Sequence, residues 1–471
     1  MYKKILYLFV AFLFFCCIHN VSADNSVKIL RKTKSNLTSL IDVDKESSKY
    51  RNYIRSINTA QSMTVTDKYI LVDLVKDATD AKDNNNYLAV YSKKDNSFLG
   101  IVNLGKGCAH ANGLTYDSKR GKLICAAYTN KSFVVYNAAD IKCDKSVCNG
   151  DTHINIEKVV TSYFPFNNIA YDRSSDAFWV ATDLVGYKNF PNSFRLVKIP
   201  ATDIYGKSNL TEGMFNGYTK LLNELENYNL GNFKFLVNQD VIYKDGRLFL
   251  INYVNNDNVN LFNNAIADVH IGDAIILSYD LTTGSKGNIQ VIKGFDGYEL
   301  EDVAFDGDSP YLLFQRNGNF KIFTLNFSGK SVNASISINV KSNNDNLFNN
   351  SSMSAKFVST SNNFDLNKNV NYSNGKYILN SFKLNKLGKY NLKITQNNKS
   401  LTNWSLDKDT IDATIKVKYD FNEDKFFYRL IYNKNSSNVV KDSFTNKYTF
   451  SKISVPLVIY APLSLIGNFS Y

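Results

Sequence analysis

Histidine, proline, methionine and tryptophan are scarce, with 4, 6, 4 and 2 residues in a chain of 471. Six prolines and 23 glycines exclude collagen-like and proline-rich low-complexity chains. Past residue 23 only His110, His153 and His270 remain, in different loops, so a three-histidine zinc site would need all of them. No Cys-x-x-Cys pair, zincin His-Glu motif or Gly-x-Ser-x-Gly elbow occurs. The stretch Gly100 to Gly107 imitates a phosphate-binding loop, but Gly107 stands where that loop needs Ser or Thr. Apart from the N-terminus, no run is long and apolar enough to span a membrane.

What is present is apolar and aromatic: 44% hydrophobic residues, 30 Tyr and 32 Phe, with 21% charged residues. This composition supplies a large core and favours strands. The net charge is +12, of which Lys3 and Lys4 supply two, leaving +10 beyond residue 23. That charge is spread along the chain, which reads as a solvated surface and argues against a nucleic-acid groove.

The N-terminus has the three parts of a secretory signal: Lys3-Lys4, the apolar run Ile5 to Ile18, and Val21-Ser22-Ala23 before Asp24. A secreted chain beginning after residue 23, with no membrane span, is therefore expected. Cys16 and Cys17 fall within the signal. Cys108, Cys125, Cys143 and Cys148 remain, and an even, clustered set in an exported chain reads as two disulfides. Cys143–Cys148 closes a short polar loop, which leaves Cys108 for Cys125; the spacing argues against zinc. Twelve Asn-x-Ser/Thr sequons, among them Asn36, Asn130 and Asn333, are glycan acceptors if the host glycosylates exported proteins.

A pattern recurs five times: a polar anchor, an apolar-x-apolar strand, a turn, and a second apolar strand. The anchors are Gln61, Asn112, Asn168, Gln239 and Glu301, spaced by 51, 56, 71 and 62 residues. Third strands such as Tyr87 to Tyr91 and Phe133 to Tyr136 follow most copies. Repeats of short strands at such intervals, stretched by insertions, predict an all-β fold with a five- or six-bladed β-propeller over residues 24–340. A polar linker is expected over 341–352 and a smaller β-sandwich-like domain over 353–471, with a hairpin from Ala413–Tyr419 into Phe426–Tyr432.

In a propeller the first strand of each blade lines the channel, so Gln61, His110, Asn112, Asn168, Gln239, Asp240, Glu301 and Asp302 should converge at one mouth. Their oxygens suit Ca²⁺ or a sugar, with Asn112, Asn168, Asp240 and Glu301 as metal candidates. Such a ring also serves simply to hold ordered water and satisfy strand ends.

The blade start His110-Ala111-Asn112-Gly113-Leu114-Thr115-Tyr116 resembles those of the gluconolactonase and strictosidine-synthase-like propellers, over roughly residues 55 to 330. The resemblance implies a metal-bound water attacking a lactone, held by Glu301, Asn112, Asn168 and Asp240. The chain departs from the pattern with amides at Gln61 and Gln239 and no clear acid on the first two blades. Two functions follow. One is a monomeric extracellular protein binding a small ligand, glycan or protein partner at the channel mouth; the other is a metal-dependent hydrolase of the lactonase type.

Overall fold

The computed structural model describes residues 27–57, 59–76, 85–108, 113–143, 148–181, 196–221, 239–264, 266–343, 353–359, 361, 364–397, 404–434 and 439–448. The signal segment, His110, Asn112 and most of the expected linker lie outside these residues. The chain divides into two compact units, Met1–Ser328 with Asp420–Asp424, and Gly329–Tyr419 with Lys425–Tyr471.

The first unit is a five-bladed β-propeller. Blade 1 runs outward through Thr59–Val65, Tyr69–Val75, Asn86–Ser92 and Phe98–Gly105. Blade 2 uses Gly113–Asp117, Lys122–Ala127, Ser132–Asn137 and Ile156–Ser162. Blade 3 uses Asn168–Asp172, Ala177–Ala181, Leu196–Pro200 and Thr219–Leu221. Blade 4 uses Val241–Lys244, Arg247–Tyr253, Ala274–Asp280 and Ile289–Ile292. Blade 5 takes Glu299–Asp306, Ser309–Arg316 and Asn319–Leu325 from the end of the repeat, and its outermost strand, Leu37–Asp42, from the start of the chain. The inner strand of blade 5 adjoins that of blade 1, which closes the ring.

Blade strands are buried on both faces, so they read as apolar runs and not as alternation. Tyr69–Val75 is the clearest: Ile70, Val72 and Leu74 pack toward blade 5, whereas Leu71 joins the layer shared with blade 2. Blades also come close enough to dictate residue size. A Cβ on Gly113 would lie 2.8 Å from the backbone of Asn167, Asn168 and Ile169.

The second unit is a nine-stranded sheet, curled so that Lys425–Tyr432 approaches Val332–Ser342. There the Tyr428 hydroxyl donates to Ser335 O and accepts from Ser335 N–H. Its order is Trp404–Ser405, Ser443–Tyr448, Val332–Ser342, Lys376–Leu384, Asn367–Ser373, Ser354–Ser359, Gly388–Gln396, Thr410–Asp420 and Lys425–Tyr432. The sandwich-like domain expected from sequence is realised as one continuous order, because Lys376–Leu384 and Asn367–Ser373 bridge what would otherwise be two sheets. Val332–Ser342, which spans the end of the expected propeller and the first two residues of the expected linker, pairs within this sheet. Among the described residues no helix is long and apolar enough to cross a membrane.

Candidate functional site

In four of the blades the described inner strand opens on a β-bulge. In blade 1, Gln61 is the extra residue between the pairs Ala60–Leu74 and Ser62–Asp73. In blade 5, Glu301 is extra between Leu300–Phe314 and Asp302–Leu313. In blade 3, Asn167 N–H donates to Ala181 O although Asn168 is the registered partner of Ala181. In blade 4, Gln239 and Asp240 both bond to the backbone of Ile251. Two residues therefore oppose one in each case, and such a bulge re-aims its side chains.

This register corrects one anchor. Asn168 is equivalent to Asp240, Asp302 and Ser62, and it is Asn167 that corresponds to Gln239, Glu301 and Gln61. The doublet Asn167-Asn168 hides the offset in sequence, since either asparagine can be read as the anchor.

The second residues of the doublets hydrogen-bond around the channel. Asn168 bonds to the Asp240 carboxylate, Asp240 bonds to Asp302, and Asp302 Oδ2 accepts from Met63 N–H at 2.6 Å. These bonds link blades 3, 4, 5 and 1 in turn. Outside them the Asn168 amide donates to Gln239 O, and the Gln239 amide donates to Glu299. Glu301, also buried, lies near both Glu299 and Asp302 and bonds to Gln315. The structure thus brings Asn168, Gln239, Asp240, Glu301 and Asp302 together, with Glu299 as a sixth member that sequence reading missed. Its signal is Glu299-Leu300-Glu301, two acids two positions apart around a bulge. Gln61 takes the corresponding place in blade 1.

Few cations offset these acids, so burial dominates their protonation. Desolvation raises Asp240 and Glu301 well above the ordinary carboxylate range, and proximity to Asp302 adds to both shifts. Asp302 is held at about 6 by burial, moderated by its bonds to Asp240 and to the Met63 and Val303 backbone. At the ring the channel opens into a cavity of about 150 Å³, lined by residues of all five inner strands, such as Thr64, Thr115, Ala170, Ile242 and Ala304, with Asp240 and Asp302 at its head. Its far end widens between Tyr116, Tyr171, Tyr243 and Phe305.

The cysteines divide. Cys143 and Cys148 form a disulfide, but Cys108 and Cys125 are free thiols, contrary to the expected second disulfide. Each has another partner: Cys125 Sγ lies 3.9 Å from Cys108 O as a donor, and Cys108 Sγ lies 3.3 Å from the Tyr136 hydroxyl. The buried Asp73 carboxylate completes the group, with its ligating oxygen and the two sulfurs all within 4.8 Å of one another. Sequence reading passed over Asp73, although an acid inside Ile70-Leu71-Val72-Asp73-Leu74-Val75 is a visible anomaly.

The chain matches no protein-family model and no curated protein sequence. Among solved structures it is similar to a hydrazine synthase of Kuenenia stuttgartiensis, at 9% identity and a TM-score of 0.27, over 53% of this chain and 60% of that one. It thus spans about three fifths of that protein's length. It is also similar to a glucose dehydrogenase, at 8% identity and a TM-score of 0.32, over 62% of this chain and 99% of that one. The propeller assignment rests on the strand order and ring closure above.

Proposed function

We propose that the acid-and-amide ring at the head of the channel binds a hard divalent cation and hydrolyses a lactone or related ester there. The observation that carries this is the bonded series Asn168–Asp240–Asp302 contributed by three blades, with Glu301 beside it and the three carboxylates raised by burial. Uncharged and anionic oxygens of this kind fit Ca²⁺, Mg²⁺ or Mn²⁺. A cation held by Asp240, Asp302, Glu301 and Asn168 would polarise an ester carbonyl and acidify a water. The chain's own contribution is orientation and proton handling. The Asn168 amide fixes Asp240, Gln239 fixes Glu299, and the half-buried Glu299, raised above the ordinary carboxylate range by desolvation, is placed to take a proton. We extend the reading to a secreted enzyme, on the signal-like N-terminus.

The test is turnover of a lactone panel by chelator-treated protein, with and without Ca²⁺, Mg²⁺ or Mn²⁺. Metal-dependent turnover should fall at least about 100-fold in Glu301→Gln, with the fold retained. A second reading, ligand binding without chemistry, is favoured by the use of Asp240 and Asp302 as links between blades. It predicts that cations raise the melting temperature while every lactone stays intact.

A further inference from the structure

We infer that Asp73, Cys108 and Cys125 form a second site, independent of the channel, that holds one thiophilic divalent cation of the Zn²⁺ class between blades 1 and 2. The surroundings make the trio anomalous. It lies in the apolar layer built by Leu71, Leu88, Val102, Leu123 and Val134, and all three residues are fully buried. In such a layer a carboxylate is costly unless both oxygens are satisfied. Asp73 Oδ1 meets Asn86 Nδ2 at 3.3 Å, whereas among the described residues Oδ2 has no hydrogen-bond partner. The two thiols share this volume.

The donor chemistry selects the ion. Two sulfurs and one carboxylate oxygen suit Zn²⁺ and disfavour Ca²⁺, which takes only oxygens. Sequence spacing hid the set because the oxygen ligand comes from a neighbouring blade. Binding is redox-neutral. Each thiol gives its proton to solvent and its sulfur lone pair to the cation, so two positive charges enter as two protons leave. The buried net charge is then unchanged from that of ionised Asp73 with two neutral thiols. Burial raises the Cys125 thiol well above its ordinary range, so in the absence of a cation it stays protonated. A Cys108–Cys125 disulfide, by contrast, would need an external two-electron oxidant and would leave Asp73 Oδ2 unsatisfied.

The test begins with metal content and thiol state of the purified full chain. One zinc per chain, with Cys108 and Cys125 protected from alkylation until a chelator and mild denaturant are added, supports the site. Refolding with Co²⁺ in place of zinc should give the near-ultraviolet thiolate-to-cobalt absorption. Asp73→Asn and Cys125→Ser should each weaken Co²⁺ binding at least about tenfold, whereas Glu301→Gln should leave the absorption intact whether or not the channel is an active site. If either variant fails to fold, the alkylation pattern of the unaltered protein still decides. Thiols that alkylate equally with and without Zn²⁺, no thiolate–cobalt band, or a mapped Cys108–Cys125 disulfide would each overturn the proposal.

Discussion

The two units treat buried polar groups in opposite ways. In the C-terminal sheet they are neutral and satisfy one another: Tyr377 donates to Gln396 Oε1 at 3.0 Å, and the Gln396 and Asn446 amides bond reciprocally at 3.0 and 3.1 Å. In the propeller they include Asp73, Asp240, Glu301 and Asp302, whose charges lack such compensation. The strands differ to match. Val332–Ser342 alternates between buried and exposed positions along its whole length, whereas Tyr69–Val75 is buried at every residue after the first. A sheet with one face in water can place polar residues outward at no cost, so its interior needs few. A blade walled on both faces offers no such place, and a carboxylate found there calls for a ligand, a shared proton or an inter-blade bond.

The largest effects should come from the blade's two-sided burial. Ile70→Ala and Leu71→Ala, adjacent in sequence but facing different neighbours, should each cost about 2–5 kcal/mol in denaturant unfolding. If one of the pair proved neutral, the two-sided picture of blade 1 would fail.

Next in size is the amide pair of the C-terminal sheet. Gln396→Leu strands Asn446 and Tyr377 and should cost about 1–3 kcal/mol, with little change between pH 5 and 7.5. A strong pH dependence of that loss would show that the sheet hides a titrating partner.

The channel acids should respond to pH and not to amide loss. Asp302 titrates at about 6 when folded and near 3.9 when unfolded, and Asp240 and Glu301 shift in the same direction. The folded state therefore keeps protons that the unfolded chain has released. This stabilisation is complete below about pH 4 and is lost as pH rises through 6. Cation-free protein should accordingly be more stable at pH 5 than at pH 7.5, by on the order of 1–2 kcal/mol, and Asp302→Asn should flatten the profile. A rise in stability from pH 5 to 7.5 would contradict it.

The smallest effect belongs to the exposed face of the C-terminal sheet. Ser337→Ala, between the buried Ile336 and Ile338, should fall within about 0.5 kcal/mol of the unaltered protein, while Ile336→Ala should cost about 2–5 kcal/mol. Equal losses in a pair of melting curves would mean that the outer face is covered.

Much of the propeller was legible because its repeat is chemical: a polar doublet, three residues lining the channel, an Asx-rich turn and a second apolar strand. Gln61, Gln239 and Glu301 were found as anchors on that basis. The register of Asn167-Asn168 was not, since a bulge shifts which residue faces the axis without changing the composition around it. Glu299 and Asp73 were missed for a related reason. Each lies one or more positions outside the repeat's anchor, and its importance depends on which neighbour it meets across a blade boundary.

The sequence by itself determined the strand-rich class, the five copies of the blade start and the alternating strands of the C-terminal sheet, because those follow from periodicity within a few residues. Only the tertiary structure decided the blade count, the membership of the channel ring and the state of Cys108 and Cys125. Closure of the ring sets the first two, and the packing of blade 2 on blade 1 sets the third. Closure recruits Leu37–Asp42 as the last strand of blade 5, and it joins Met63 N–H to the Asp302 carboxylate across 239 positions. The packing of blade 2 on blade 1 brings Cys108 and Cys125 against Asp73. Contacts of that range depend on how five blades share one axis, and no local pattern encodes them.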